Sequence, residues 1–410
     1  MKLLSIVLFQ FFFVIQGHAQ DSISFKKNYP FIKLDKNKIE NDSLSLNYFF
    51  KKLDSLEKKL IPKVVILQIG DSHLQADYFP GKTRVKLQQQ FGNAGRGLVT
   101  PFRVGKTNEP DNYRSWSNKT WRAKRVVIEK DSLPIGISGL SLYQNEPGTQ
   151  LRIKIANQEN LDYRFNKISV IQDTRKPYLP IAFCDSLSCR IARLEAKQNE
   201  NNQISSVDLS GLFNEITLIF DPADSLTQNA SSLLYGLIFE NGDSGILYHT
   251  VGINGAEFRH YAKQENFIKQ TAMVKPDLII FSMGTNEAFS PAFKPEEFTN
   301  YIDSLVRAIK ELNPNTSMLF TTPGDAMRRV KYKNPRNKIA GKTIIEYATN
   351  HQYAYWNLFE IMGGYGSIQK WYVKKLTSKD KLHLNRRGYE LQGLLLSEAI
   401  INAYSLFKLR

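Results

Sequence analysis

Apolar and polar positions along this chain fall into two textures. At both ends, short apolar runs alternate with segments of helical period. The run VVILQIG at 64–70 carries one polar residue, Gln68, among β-branched and aliphatic ones, the pattern of a parallel strand covered on both faces. Before it, Leu46, Phe49, Phe50, Leu53, Leu56 and Leu60 recur at three- and four-residue spacing, which predicts a helix over 42–60 opened by Asp42 or Ser43. A second helix is expected around 83–91. From 246 the same rhythm resumes, with strands predicted at 246–251, 277–283, 317–321 and 353–359. Helices are predicted at 257–274, 295–312 and 338–349, and a last one from about 387. Strands alternating with helices mean an α/β domain with a parallel sheet between two helical layers.

Between 92 and 245 the texture changes. The runs RVVIEK, GISGLSLY, TQLRIKIA, KISVIQD, LPIAF, EITLIF and LLYGLIF are short, rich in β-branched and aromatic residues, and broken by turn clusters. No helical period intervenes, so an antiparallel β-sandwich is predicted, inserted into the α/β domain. The expected division is a leader at 1–19, a first α/β part at 20–91, the β insertion at 92–245, and the remaining α/β part at 246–410. The glycine-rich GNAGRG at 92–97 lacks the lysine and spacing of a phosphate loop and reads as a turn.

Composition adds a location and a class of partner. Lys2, an apolar stretch at 3–15 and the small-x-small Gly17-His18-Ala19 read as a secretory signal. That stretch is shorter than the roughly 20 residues of a membrane span, so a periplasmic or extracellular protein without stable membrane insertion is expected. Net charge is +16, and the signal contains one lysine and no acid, which leaves +15. In an exported protein this balance points to anionic envelope polymers or glycans rather than nucleic acid, for which no helix-turn-helix, zinc-finger or single-strand-binding signature is present. Basic residues are scattered except at 328–338, which holds six in eleven positions. Cys184 and Cys189 form either a local disulfide or two buried thiols.

The chemistry-bearing residues sit at strand ends. Gly70 closes the first apolar run, and Asp71-Ser72-His73 stand where the chain must turn. A serine at the carboxyl end of a central strand lies at the open edge of an α/β sheet, where ligands dock. This is not the G-x-S-x-G elbow, since Leu74 stands where that motif needs glycine. Three further blocks follow: GINGAE at 252–257, GTNE at 284–287 and DKLHLN at 380–385. In this order and spacing the four blocks resemble the signature blocks of SGNH (GDSL-type) esterases, whose fold is a flavodoxin-like three-layer α/β/α sandwich. The resemblance implies Ser72 as nucleophile, Asp380 and His383 as the rest of a triad, and Ser72, Gly255 and Asn286 as the lining of an oxyanion hole. One departure is Glu287, where many relatives carry aspartate.

Residue chemistry supports these roles. A serine attacking an ester needs a base, and imidazole has the side-chain pKa nearest neutrality. A carboxylate three residues earlier can hold the histidine tautomer. Backbone N–H groups of Ser72 and Gly255 with the amide of Asn286 would supply three fixed donors, each typically worth about 3–4 kcal/mol to the transition state. His73 either lines the pocket or satisfies a backbone group. His249, His260 and His351 show no metal-ligand spacing, so hydrolysis without metal or cofactor is expected.

Long β insertions after the first block are similar to those of peptidoglycan O-acetylesterases, as are FGNAGRGL at 91–98, GTNEAF, and GGYGSIQKW at 363–371. That resemblance implies an acetylated glycan substrate and a carbohydrate-binding-like insertion. Trp116, Trp121, Tyr365, Trp371 and Tyr372 are candidate sugar platforms, and the basic 328–338 run is a candidate border of the site. Other readings are a deacetylase of a xylan-like or capsular polysaccharide, a glycan O-acetyltransferase, and a non-catalytic glycan-binding protein.

Overall fold

In the computed structural model, residues 28–173, 178–183, 192–193, 195–196, 204–222 and 231–410 are described. The leader at 1–19 and both cysteines lie outside them.

The central sheet has six strands in the spatial order Ile39–Glu40, Ala354–Trp356, Ser317–Thr321, Leu278–Ser282, Lys63–Gly70 and Gly245–Gly252. Five run parallel, and the short Ile39–Glu40 edge strand is antiparallel. Alternate side chains of a strand point to opposite faces. Val65, Leu67 and Ile69 accordingly join a core with Phe267, Ile302 and Ile344 of one helical layer. Val64 and Ile66 join Phe50, Leu53, Leu87 and Leu395 of the other. The first layer contains Glu265–Met273, Pro295–Leu312 and Pro335–Asn350; the second contains Asn47–Glu57, Tyr78–Phe91 and Arg386–Lys408. This is the three-layer sandwich the alternating pattern calls for.

Register decides where the chemistry falls. Gly70 pairs with Gly252 on one side and with Ser282 on the other. Three strands therefore end side by side, and the loops carrying the first three blocks leave the sheet at one level. Gly70 has no room for a side chain: a Cβ there would stand 2.4 Å from the Leu74 side chain and 2.7 Å from the Ser282 carbonyl oxygen. Its bareness lets the nucleophile turn lie flat on the neighbouring strand.

The β insertion leaves and returns at one point. A Cβ on Gly245 would lie 2.1 Å from the Gly92 carbonyl carbon, and Asn93 bridges to Ile246. In between lie two antiparallel sheets. One orders Ala192–Arg193, Tyr178–Phe183, Glu215–Pro222, Thr149–Ile155 and Tyr113–Ser117. The other orders Glu195–Ala196, Ile204–Phe213, Phe165–Gln172, Ser232–Glu240, Leu140–Gln144 and Arg122–Arg125, with Gly97–Val99 added on Ser232–Glu240. Leu151, Ile153 and Leu218 of the first sheet share a core with Ile168, Val170 and Leu237 of the second.

Several predicted elements come out differently. The 42–60 helix breaks at Leu46 into Asp42–Ser45 and Asn47–Glu57, and the 257–274 helix divides into Phe258–Ala262 and Glu265–Met273. The run RVVIEK contributes only Arg125 to a strand, after which the Val126 N–H turns to the Gly139 carbonyl. The last strand stops at Trp356, because the Asn357 side chain accepts from Glu360 N–H and caps the helix Leu358–Ile361. Among the described residues no helix is long and apolar enough to cross a membrane.

The insertion is tied to the α/β domain through a buried ion cluster. Asp77, in the left-handed conformation just before Tyr78–Phe91, receives Arg84 Nη2 at 2.7 Å, Arg96 Nη2 at 2.8 Å and Asn112 Nδ2 at 2.6 Å. Arg84 comes from the helix, and Arg96 and Asn112 come from the insertion.

Candidate active site

Ser72 opens a short helix, Ser72–Gln75, capped by Asp71, whose Oδ1 accepts the His73 N–H at 2.9 Å. The Ser72 hydroxyl thus stands at the end of the central strand, and its Oγ lies 3.0 Å from His383 Nε2. The other ring nitrogen of His383 lies 2.7 Å from Asp380 Oδ2. Asp380 Oδ1 accepts the N–H groups of Leu382 and His383, each at 3.0 Å, so the carboxylate folds its own loop into shape. Lys381 takes φ 52° in that turn. Burial alone would raise the Asp380 carboxyl, but the bonds from His383 and the two backbone N–H groups outweigh it and hold the carboxyl below its ordinary value. With the neutral imidazole donating from Nδ1 to Asp380, Nε2 is left to take the serine proton. Three residues separated by up to 311 positions in sequence thus form one connected chain.

Gly255 sits in the loop after the second block's strand, at φ 80°, with open space where a Cβ would point. Asn286 comes from the short helix Thr285–Phe289. Its amide donates to the Ala256 carbonyl at 2.9 Å and to Asp71 Oδ2 at 3.2 Å, so both of its protons are engaged. An oxyanion at this amide would have to share or displace the longer bond to Asp71.

His73 is held by Asp71. Its Nδ1 lies 2.8 Å from Asp71 Oδ1, its ring also bonds the Leu382 carbonyl, and its centroid is 5.2 Å from that of His383. Burial would lower its pKa, but Asp71 and the Leu382 carbonyl together raise it above the ordinary value. His73 braces the triad loop against the nucleophile turn, and it also lines a small cavity with Ser282 and Thr285.

Glu287 is buried. Its Oε1 accepts the Phe258 N–H at 2.8 Å, linking the third block to the helix that follows the second, and its Oε2 has no hydrogen-bond partner among the described residues. Burial, reinforced by the charges of Glu257 and Asp71 and opposed by the Phe258 bond, pushes its carboxyl up to about 8. Ionising it would put a buried negative charge beside the loop carrying Asn286. In wild type, kcat/KM is therefore expected to fall above pH 8, to about a tenth one unit beyond that pKa if only the protonated form works. Glu287→Gln should remove this alkaline limb, and a profile unchanged by the substitution would show that Glu287 does not set it.

Two expected sugar platforms are closed. Trp371 is fully buried, with its indole N–H bonded to the Met362 carbonyl at 3.0 Å and its ring edge-on to Phe31. Trp121 is buried against Phe220. An indole with its N–H satisfied inside a core fills space and offers no face to a ligand. Tyr365, Tyr372 and Trp116 are exposed, each with a cation over its ring: Lys333, Lys381 and Arg152. The basic run forms a hairpin of Met327–Arg328 and Tyr332–Lys333, and the Met327 N–H binds the Lys381 carbonyl at 2.9 Å, so it does border the triad loop.

Gln75 escaped the sequence reading. Its Oε1 accepts the Asn254 N–H at 2.8 Å, and its Nε2 donates to Thr107 Oγ1 and to the Asn108 carbonyl. It joins the nucleophile turn, the Gly255 loop and the insertion, and a glutamine at the end of a four-residue helix gives no sequence signal of that.

With the site laid out, comparison with known proteins defines its class. Residues 224–391 match the model of the GDSL-like lipase/acylhydrolase family, a stretch holding the last three blocks but not the serine block that the insertion separates from them. A solved structure described as a peptidoglycan O-acetylesterase in action is similar over 90% of this chain and 99% of that one, with a TM-score of 0.75 at 19% identity. A lipase/acylhydrolase from Enterococcus faecalis is similar over 39% of this chain and 77% of that one, at 22% identity and a TM-score of 0.33. No curated protein matches the sequence. The fold is that of the SGNH hydrolases, and residues 224–391 carry the GDSL-like acylhydrolase domain.

Proposed function

We propose that this chain is an exported serine esterase that removes O-acetyl groups from a cell-envelope glycan, peptidoglycan before other polymers. The observation that carries the esterase reading is the unbroken Ser72–His383–Asp380 chain, with links of 3.0 and 2.7 Å, at the meeting of three in-register strand ends. Ser72 Oγ attacks the acetyl carbonyl carbon while His383 Nε2 takes its proton and Asp380 steadies the imidazolium. Gly255, the Ser72 N–H and Asn286 face the developing oxyanion. Collapse of the tetrahedral intermediate breaks the bond to the sugar oxygen, which leaves with the proton from His383. Water, deprotonated by the same nitrogen, then releases acetate from the acyl-serine.

Peptidoglycan as substrate is supported by likeness of fold to a peptidoglycan O-acetylesterase along nearly the whole chain. The test is acetate release from O-acetylated peptidoglycan set against acetylated xylan. At least a tenfold preference for peptidoglycan in kcat/KM is expected; preference for xylan would reassign the polymer, and acetyl recovered on an added glycan instead of as free acetate would make the chain a transferase.

A further inference from the structure

We propose that the cavity between helix Tyr78–Phe91, the 156–159 loop of the insertion and the start of Arg386–Lys408 is a saccharide subsite for an uncharged sugar unit beyond the acetylated one. This inference rests on the esterase reading and deepens it. The cavity measures about 320 Å³ and is lined on one side by Tyr78, Lys82 and Arg386 and on the other by Asp111, Gln158 and Glu159. That volume is at the small end of ligand sites, which run from about 300 to 1,000 Å³.

A single segment of the insertion connects this cavity to the catalytic turn. Asn108 Oδ1 accepts Gln75 Nε2 at 2.9 Å and Asn254 Nδ2 at 2.7 Å, which pins it beside Gly255. Three residues on, Asp111 Oδ2 accepts Arg386 Nη1 at 3.0 Å and faces the Tyr78 hydroxyl at 3.4 Å. Arg386 follows His383 by three residues. The 108–111 segment therefore links the nucleophile turn and the second block, through Gln75 and Asn254, to the residue after the fourth block.

Charge selects the ligand. Asp77 lies between Arg84 and Arg96, so that buried cluster carries one positive charge in excess. The remaining lining charges are Asp111, Glu159 and Glu390 against Lys82 and Arg386, and with that excess the charges around the cavity balance despite a chain charge of +16. A carboxylate-bearing sugar gains nothing there. Hydroxyl and acetamido groups can bond to Gln158 and to the ion pairs Lys82–Glu159 and Arg386–Asp111, which span the two domains across the mouth. The Tyr78 ring supplies an apolar face, now under the Arg386 guanidinium at 5.4 Å.

The experiment uses the full chain carrying Ser72→Ala, titrated by calorimetry with tri-N-acetylchitotriose and, in parallel, with trigalacturonate. The neutral trisaccharide should bind, and adding Tyr78→Ala or Asp111→Asn should weaken its Kd at least fivefold. No binding of the neutral trisaccharide, a Kd unchanged by both variants, or tighter binding of trigalacturonate overturns the subsite. Turnover of a chromogenic acetate by the wild-type chain is measured separately: a chain that hydrolyses the acetate but ignores the trisaccharide loses the subsite alone, whereas one that fails on the acetate loses the esterase reading.

Discussion

Ser72→Ala is expected to eliminate hydrolysis of a chromogenic acetate, with kcat lowered about a millionfold, the scale seen when a serine nucleophile is removed from a triad. The argument rests on what the hydroxyl does and does not hold. Its oxygen is 3.0 Å from His383 Nε2 in a half-exposed site, so deleting it leaves no buried group stranded. His383 keeps its bond to Asp380, and the loop keeps the two backbone bonds to the same carboxylate. The unfolding midpoint should therefore stay close to wild type while activity and labelling by a fluorophosphonate vanish. A variant that folds and still releases acetate at more than a hundredth of the wild-type rate would remove Ser72 from its role, and the proposed acyl-serine with it.

The convergence behind this expectation was partly legible in the sequence. Apolar runs ending at Gly70, Gly252 and Met283 announced three parallel strands, and a block of small and polar residues after each announced turns at their carboxyl ends. Sequence could not state the register, in which Gly70 faces both Gly252 and Ser282, because strand pairing across an insertion of some 150 residues leaves no local mark. Nor could it tell a tryptophan in the core from one at the surface. Trp371 follows a glycine-rich run near the triad and reads as a platform, yet its burial depends on Phe31 and Met362, far away in the chain or hidden in another turn. The strand predicted at 353–359 forms but ends early, at Trp356, for a local reason that was readable: Asn357 is a good helix cap and sits where the strand ends. That the Asn286 amide also donates to Asp71 was not legible either, since the two residues, 215 positions apart, meet only by tertiary contact.

Joining the two domains depends on a different set of residues, and there the largest loss of stability is expected. Asp77→Asn should destabilise the chain by about 3–5 kcal/mol at pH 7, the usual cost of stranding buried charge. Asparagine keeps the side-chain shape and tolerates the left-handed backbone that Asp77 adopts at φ 57°, so the substitution removes charge and little else. What it leaves behind is severe. Arg84 and Arg96 are both buried, Arg96 has its Nε and Nη1 without partners among the described residues, and Asp77 is the carboxylate that both guanidiniums touch. Burial by itself would raise the Asp77 carboxyl, but the two arginines outweigh it and hold it below the ordinary aspartate value of 3.8. A carboxyl whose folded pKa lies below its unfolded one contributes fully above the unfolded value and loses that contribution as pH falls through the folded value. The gap between wild type and Asp77→Asn, read from urea midpoints, should thus be constant from pH 5 to 8 and narrow only below about 3.8. A gap under 1 kcal/mol at pH 7, or one that grows on acidification, would mean that the ion cluster does not hold the insertion to the α/β domain; a wide gap at pH 7 would place the weak point of the molecule at Asp77, between the catalytic turn and the insertion's Asn112.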